Sequence, residues 1–190
     1  MVPIKIGIFG GTFNPIHVGH LLLAETARES LALDRVLFIP TQQPPHKRAS
    51  DLLPGAARLE LITLAIRDQP AFVASDIELQ RPGPSYSIDT VKMLRSQVPT
   101  AKLFLLIGED MLGVRWLAWT EIKRLCTVVA AHRPGFRPSR SQRGLKWLPM
   151  PQVEIASSDI RARLRSGRSI RYLVPAAVER HLHQHRLYHA

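Results

Sequence analysis

Short apolar runs alternate along the chain with longer stretches in which apolar residues recur at helical spacing. The runs predict four β-strands, at Ile4–Phe9, Val36–Ile39, Leu103–Ile107 and Thr127–Ala131. The stretches between them predict helices at Leu21–Leu31, Ala56–Arg67, Ser87–Gln97 and Thr120–Leu125. Strands that are apolar throughout are typical of a parallel sheet covered by helices on both faces. The pattern therefore predicts an α/β fold with a Rossmann-like, doubly wound parallel sheet.

The C-terminal part of the chain is predicted to add a small helical segment from about residue 158. Ser157 or Ser158 is suited to cap a helix that runs to about Ser166 and ends at Gly167. Pro175 suits the first position of another helix. A chain of 190 residues is long enough to bury one core, so we expect one domain over residues 1–190.

The chain carries a formal net charge of +11, which is compatible with nucleic acid, a membrane surface or small polyanions as partners. No nucleic-acid motif accompanies the charge, and we interpret it as a solvated basic face with a few phosphate-binding arginines. No apolar run approaches the length of a membrane span, and no signal peptide is recognisable, so we expect a cytoplasmic protein without a membrane partner. The single cysteine, Cys126, excludes an intrachain disulfide.

The segment Gly7–His20 joins the first predicted strand to the first predicted helix. Adjacent glycines, Gly10 and Gly11, allow positive φ angles and a close approach of the backbone to a ligand. The start of the helix offers N–H groups without intrahelical partners, and these attract an anion. The glycine spacing fits neither a Walker loop nor the dinucleotide fingerprint. The segment therefore predicts a phosphate-binding loop of another kind.

His17 and His20 stand three residues apart at this helix start, so their imidazoles share one face of the first turn. Imidazoles in this position can donate hydrogen bonds to phosphate oxygens. A zinc-binding His-Glu-x-x-His helix needs a spacing of four and an internal glutamate, and both are missing. We therefore expect phosphate contacts here and no metal site made by protein side chains.

Two segments resemble the signatures of the nucleotidyltransferase superfamily with the HxGH motif. The first is Gly10-Gly11-Thr12-Phe13-Asn14-Pro15-x-His17-x-Gly19-His20, and the second is Ile155–Arg161, where Ala156 replaces the first serine of the family pattern. The resemblance implies ATP with Mg²⁺ as its companion, and catalysis by His17, His20 and Arg161. It implies an ATP site made of Gly10, Gly11, Thr12, Phe13, His17, His20, Asp110, Ser157, Ser158 and Arg161.

Segments in the middle of the chain resemble nicotinate mononucleotide adenylyltransferases more narrowly. They are Pro44-Pro45-His46-Lys47, Gly83-Pro84-Ser85-Tyr86-Ser87, Gly108-Glu109-Asp110, Trp119-Thr120 and Arg133-Pro134-Gly135. The resemblance implies a nicotinate mononucleotide site made of Thr12, His46, Lys47, Ser87, Trp119, Thr120 and Arg133. It favours Asp110 over Glu109 as the ligand of a ribose, and Trp119 as the ring that stacks on the pyridine.

Besides Ala156, three residues depart from the family pattern. Ser87 replaces a threonine but keeps the hydroxyl, Thr120 replaces an aromatic residue, and Asn14 stands where many relatives have aspartate. Ser85 or Ser87 is also suited to cap the following helix. Residues 136–147, rich in arginine and serine, are expected to form an irregular surface loop.

The resemblance implies adenylyl transfer from ATP to nicotinate mononucleotide, which yields nicotinate adenine dinucleotide and pyrophosphate, a step of NAD biosynthesis. One alternative is another HxGH adenylyltransferase acting on nicotinamide mononucleotide or on pantetheine phosphate. Another is a basic nucleic-acid-binding protein, which would explain the charge but not the loop motifs. The sequence leaves open whether the protein forms a homo-oligomer.

Overall fold

The computed structural model describes residues 2–44, 51–132 and 144–188. Its strands are β1 (Lys5–Gly11), β2 (Arg35–Pro40), β3 (Phe72–Ala74), β4 (Lys102–Gly108), β5 (Thr127–Ala131) and β6 (Lys146–Leu148). Its helices are α1 (Val18–Leu31), α2 (Gly55–Ile66), α3 (Ser87–Gln97), α4 (Trp119–Leu125), α5 (Ser157–Arg165) and α6 (Ala176–Gln184). A 3₁₀ turn, Glu109–Gly113, follows β4 directly.

The six strands form one parallel sheet in the order β3-β2-β1-β4-β5-β6. Ile8 on β1 lies opposite Leu37 on β2 and Leu105 on β4, so β1 and β4 are neighbours at the middle of the sheet. The strand order reverses direction at this pair, and a sheet of this kind opens a crevice at the carboxyl ends of the two strands. The predicted Rossmann-like sheet is confirmed.

Apolar side chains cover both faces of the sheet. Phe9, Phe38 and Leu106 belong to the core on one face, where α1, α2, α5 and α6 bury their apolar sides. Ile8, Leu105 and Ala130 belong to the core on the other face, together with side chains of α3 and α4. Burial on both faces explains why the central strands are apolar throughout. The C-terminal helices α5 and α6 thus share a core with α1 and α2.

The predicted strands and helices match most of the observed elements. The β5 strand and α3 have the predicted bounds, and the other predicted elements agree to within three residues at each end. Two strands of three residues, β3 and β6, were not predicted, because neither stretch is long enough to show a pattern. Lys146 and Trp147 lie in β6, so the predicted loop over residues 136–147 is wrong at this end.

The predicted serine caps of α3 and α5 are wrong. The N-caps are Tyr86 and Ala156, and neither makes a side-chain capping hydrogen bond. The Ser85 hydroxyl instead accepts a hydrogen bond from the Gln42 N–H at 2.9 Å. The Ser157 hydroxyl donates to the Pro15 carbonyl at 2.9 Å. Each serine therefore joins its helix start to a loop that follows β1 or β2.

The C-terminal end of α5 agrees with its prediction. The helix ends at Arg165, and Gly167 follows with a φ of 66°. This left-handed conformation is the one in which glycine commonly terminates a helix.

Candidate nucleotide-binding site

A cleft of about 240 Å³ opens at the carboxyl ends of the central strands. Its walls come from the segments that follow β1, β4 and β5, from the start of α3, and from residues before α5. The predicted site residues that line it are Gly10, Gly11, Thr12, Phe13, His20, Ser87, Asp110 and Ser157. Segments predicted separately from the sequence therefore meet around one space.

The two glycines of the loop do not adopt the positive φ angles that glycine allows. Gly10 and Gly11 are the last residues of β1 and pair with Ile39 and Pro40 of β2. The positive φ falls on Phe13, at 48°, and this side chain is 1% exposed. A β-carbon at Gly10 would have no atom within 4 Å, so this glycine leaves open space at the cleft. Glycine at this position allows a ligand to approach the backbone closely.

His17 and His20 form a stacked pair at the start of α1. Their ring centroids are 3.7 Å apart with an interplanar angle of 28°, which confirms that the two rings share one face of the first turn. His17 is the N-cap and is 2% exposed, while His20 lines the cleft. The pair therefore reaches from the core to the cleft surface.

A backbone hydrogen bond orients the imidazole of His20. The His17 N–H donates to His20 Nδ1 at 3.2 Å. Since Nδ1 is the acceptor, the neutral ring carries its proton on Nε2, which makes Nε2–H the donor of this side chain. A β-carbon at Gly19 would lie 3.2 Å from the His17 ring. Glycine at that position thus allows the rings to pack as they do.

The two acids that follow β4 have different surroundings. Glu109 is fully buried, and its carboxylate lies 2.6 Å from Nδ1 of His132, the residue directly after β5. Asp110 is exposed and lines the cleft. Of the two carboxylates, that of Asp110 is the one positioned to meet a ligand. His132, which also lines the cleft, joins the ends of β4 and β5 through Glu109.

A buried carboxylate supports the segment before α3. Glu78 is 4% exposed and accepts a hydrogen bond from the Thr90 hydroxyl at 2.7 Å. Arg81 donates to the same hydroxyl at 2.7 Å. Burial raises the pKa of Glu78, and hydrogen bonds from Thr90 and Ser85 act against that rise. This group fixes the turn that carries Ser87 to the cleft.

Two tryptophans lie at or just before the start of α4, and the structure distinguishes them. Trp116 lines the cleft and donates from Nε1 to the Met111 carbonyl at 2.7 Å. Trp119 is not among the lining residues and packs against Trp116, with ring centroids 5.2 Å apart. The ring on the cleft surface is therefore Trp116, whereas the sequence suggested Trp119. Thr120, in the first turn of α4, is also outside the lining.

Arg161 lies beside the cleft and is engaged by other groups. Its Nε donates to the Asp51 carboxylate at 2.7 Å, and its Nη1 donates to the Asn14 carbonyl at 2.9 Å. The hydrogen bond from Arg161 holds the pKa of Asp51 below its usual value. Neither Arg161 nor Ser158 is among the lining residues. A phosphate near Arg161 would compete with Asp51 for the guanidinium.

Asn14, in the loop between β1 and α1, joins three parts of the chain. Its side chain, 3% exposed, donates to the Asp51 carbonyl at 3.0 Å and accepts from the Leu53 N–H at 3.1 Å. The hydroxyl of Tyr188 donates to the same amide oxygen. An aspartate could accept these bonds but could not donate to the Asp51 carbonyl. The departure from aspartate at this position therefore matches the local hydrogen bonds.

Comparisons with known proteins identify the family of this chain. The family model described as cytidylyltransferase-like matches residues 8–163. A protein of Thermus thermophilus, named "probable nicotinate-nucleotide adenylyltransferase", is 46% identical over 187 residues, covering 97% of this chain and 99% of its own. A protein of Thermomicrobium roseum with the same name is 42% identical over 196 residues, covering 97% of this chain and 91% of its own.

The chain belongs to the nicotinate-nucleotide adenylyltransferase family.

A solved structure supports the family's fold. The nicotinic acid mononucleotide adenylyltransferase of Plasmodium falciparum, complexed with NaAD, superposes with a TM-score of 0.81. It covers 97% of each chain at 16% identity, so this likeness concerns the fold alone. Within the described ranges, no helix is both long and apolar enough to cross a membrane.

Three residues that the family resemblance assigned to the site cannot be placed. His46, Lys47 and Arg133 lie outside the residues that the structure describes. Among the described residues that are near them in the chain, Pro44 and His132 line the cleft.

The cleft of this family member also contains residues that the sequence analysis did not select. Glu78 and the segment from Met150 to Val153 line it without belonging to any motif. Trp116 lies three positions before Trp119, and His132 directly precedes Arg133, so each is a near neighbour of a predicted site residue. The available signal for this pair was the neighbouring motif, Trp119-Thr120 for one and Arg133-Pro134-Gly135 for the other. None existed for Glu78.

Proposed function

We propose that this protein transfers the adenylyl group of ATP to nicotinate mononucleotide, giving nicotinate adenine dinucleotide and pyrophosphate. The observation that carries the proposal is that His20, Gly10, Asp110 and Ser87 line one cleft at the carboxyl ends of β1 and β4. The names of relatives that match nearly the whole chain support the same activity.

In the proposed reaction, a phosphate oxygen of the mononucleotide attacks the α-phosphorus of ATP in line. The bond from the α-phosphorus to the bridging oxygen breaks, and pyrophosphate leaves with that oxygen. The attacking phosphate is already an anion at neutral pH, so the reaction needs no protein nucleophile and no strong general base. Catalysis then depends on positioning and on stabilising the charge of the transition state.

The residues near the phosphate loop are assigned to the triphosphate. His20 donates from Nε2 to the phosphate that is attacked, and His17 supports this ring from beneath through their stacking. Thr12 and the N–H groups of Gly10–Phe13 supply further donors. The start of α5, with Ser157 and Ser158, binds the β- and γ-phosphates. Arg161 binds the same phosphates after it releases the Asp51 carboxylate.

Residues on the other walls are assigned to the sugars and to the acceptor. Asp110 binds ribose hydroxyls of ATP. Ser87 and the backbone near Thr120 bind the nicotinate carboxylate, and the tryptophan pair supplies a flat surface for the pyridine ring. His46, Lys47 and Arg133 add positive charge for the acceptor phosphate.

Mg²⁺ enters this proposal bound to the phosphates of ATP. Among the residues that the structure describes, no group of three or more His, Cys, Asp or Glu side chains could hold a metal ion. Mg²⁺ keeps several of its waters and binds substrate phosphates readily, so it needs no cage of protein ligands.

The proposal is tested by pyrophosphate release with ATP and Mg²⁺ and with three acceptors compared in parallel. These are nicotinate mononucleotide, nicotinamide mononucleotide and phosphopantetheine. We expect release with the nicotinate form far above that with the other two, since Ser87 and the segment near Thr120 are assigned to its carboxylate. Equal turnover of both pyridine nucleotides would contradict the assignment of the carboxylate. Turnover of phosphopantetheine alone would overturn the proposed acceptor.

The two tryptophans allow a second test. We expect Trp116→Ala to raise the KM for nicotinate mononucleotide by about tenfold, because stacking on an aromatic ring contributes about 1–3 kcal/mol per base. Trp119→Ala should have a smaller effect, since this ring supports Trp116 from behind. Trp147→Ala, at an exposed tryptophan on β6, is the matched control. A larger rise for Trp119→Ala than for Trp116→Ala would return the stacking role to Trp119.

A further inference from the structure

Arg58, in the first turns of α2, is a buried cation that reaches three separate segments. The residue is 1% exposed. Its guanidinium donates to the carbonyls of Leu53 at 2.9 Å, Thr12 at 2.8 Å and Thr41 at 2.7 Å. Thr12 follows β1, Thr41 follows β2, and Leu53 precedes α2. One side chain thus holds together the segments that leave two neighbouring strands.

Burying the Arg58 guanidinium costs folding free energy, so packing alone is a poor explanation for a cation at this position. Burial lowers the pKa of Arg58 below its ordinary value, which reflects the loss of water around the charge. Within residues 2–44, 51–132 and 144–188, no carboxylate forms an ion pair with it. Even a buried ion pair can often be replaced by well-packed apolar residues without loss of stability, so burial of a charge is weak evidence for a stabilising role. Among the described residues, the guanidinium binds three carbonyls and no carboxylate.

The bound carbonyls determine where the adjoining N–H groups point. In a trans peptide the C=O and the following N–H lie on opposite sides. The Thr41 carbonyl points to Arg58, and the Gln42 N–H on its other side donates to the Ser85 hydroxyl at 2.9 Å. The Thr12 carbonyl also points to Arg58, so the Phe13 N–H points away from it. Thr12, Phe13, Thr41 and Ser85 all line the cleft, and Arg58 does not.

We infer that Arg58 is a positioning residue that orients the Thr12–Phe13 peptide toward anions bound in the cleft and holds the Thr41–Gln42 peptide on the Ser85 hydroxyl. The first peptide belongs to the phosphate loop, and the second reaches Ser85, two residues before Ser87. Donation from three separate nitrogens of a planar guanidinium holds both peptides at once, whereas the three donors of a lysine share a single nitrogen. The inference rests on the proposed adenylyl transfer for its kinetic test, and on anion binding alone for its binding test.

Arg95 provides a matched control for this inference. It lies in the last turn of α3 and also donates to three backbone carbonyls, those of Pro99 at 3.0 Å, Ala101 at 2.7 Å and Leu125 at 2.8 Å. It is partly buried and is not a lining residue of the cleft. Replacing Arg95 removes the same kind of interaction without touching a peptide of the phosphate loop.

The test compares Arg58→Met, Arg58→Lys and Arg95→Met at a temperature where circular dichroism shows each variant to be folded. We expect Arg58→Met to lower kcat by about 100-fold, since a displacement of about 1 Å at a reacting group costs that much. Arg58→Lys should recover less than about tenfold of this loss, because it restores the charge but not the geometry. Arg95→Met should stay within about threefold of the parent kcat.

Binding of ATP without metal, measured by calorimetry, keeps the inference separate from the proposed function. Arg58→Met should weaken ATP binding by about tenfold or more, and Arg95→Met should not change it. If the parent protein bound ATP but transferred no adenylyl group, the proposed function would fail and this arm would still test Arg58. Equal losses for Arg58→Met and Arg95→Met, or full recovery by Arg58→Lys, would overturn the positioning role.

Discussion

Replacing His20 with alanine is expected to lower the kcat of adenylyl transfer by about 100- to 1,000-fold, the usual cost of losing one donor to transition-state charge. His20 lines the cleft, and the hydrogen bond from the His17 N–H makes Nε2–H its donor. The KM for ATP should change much less than kcat, since the loss concerns charge that develops during the reaction. Steady-state kinetics at saturating acceptor measure both quantities.

His185→Ala is the control for this substitution. His185 is an exposed histidine directly after α6, and its replacement should leave kcat unchanged. A loss below tenfold for His20→Ala, in protein whose circular dichroism matches that of the parent, would remove His20 from the proposed reaction. A rise in the KM for ATP with kcat intact would assign His20 to ground-state binding alone.

Replacing Asn14 with alanine is expected to lower the free energy of unfolding by about 2–4 kcal/mol, because buried donors and acceptors would lose their partner. The side chain bonds the Asp51 carbonyl, the Leu53 N–H and the Tyr188 hydroxyl. Asn14→Asp should cost less, since a carboxylate still accepts from Leu53 and Tyr188 but cannot donate to the Asp51 carbonyl. Urea denaturation followed by circular dichroism measures both changes.

A double-mutant cycle with Tyr188→Phe isolates one of these contacts. Tyr188→Phe removes only the hydroxyl that donates to the Asn14 amide oxygen. The coupling energy with Asn14→Ala should be at least about 0.5 kcal/mol, as for residues in one hydrogen-bonded network. A cost below about 0.5 kcal/mol for Asn14→Ala would contradict the assigned role, because ordinary surface substitutions fall in that range.

The sequence predicted the central strands and the helices on them because burial on both faces leaves a strong apolar pattern. Phe9, Leu105 and Val128 each lie in a short run of apolar residues, which is the pattern of a strand buried on both faces. The edge strands β3 and β6 have three residues each and show no comparable pattern. Short edge strands acquire their structure from the neighbouring strand, which sequence spacing does not reveal.

Local rules failed where long-range contacts compete with them. Ser157 is suited to cap α5, yet its hydroxyl donates to the carbonyl of Pro15, 142 positions earlier in the chain. Gly10 permits a positive φ because it has no β-carbon, but pairing with β2 keeps it in the strand. In both cases a tertiary contact determines the conformation, and only the folded chain brings its partner close.

The site was predictable to the extent that its residues lie in recognisable motifs. His20 and Asp110 fall within such motifs, and both line the cleft. Arg58 and Glu78 stand in ordinary helical and turn segments, and their importance comes from the carbonyls and hydroxyls that surround them in the fold. The sequence motif indicates Trp119, whereas Trp116 lines the cleft. Sequence order does not show which of two nearby rings faces a cleft.

The most direct measurement uses nicotinate mononucleotide whose phosphate oxygens carry ¹⁸O. The protein is incubated with this acceptor, ATP and Mg²⁺, and mass spectrometry locates the label in the products. Since the acceptor phosphate attacks the α-phosphorus, we expect all of the label in nicotinate adenine dinucleotide and none in pyrophosphate. Label in pyrophosphate, or consumption of ATP without a dinucleotide, would contradict the proposed adenylyl transfer.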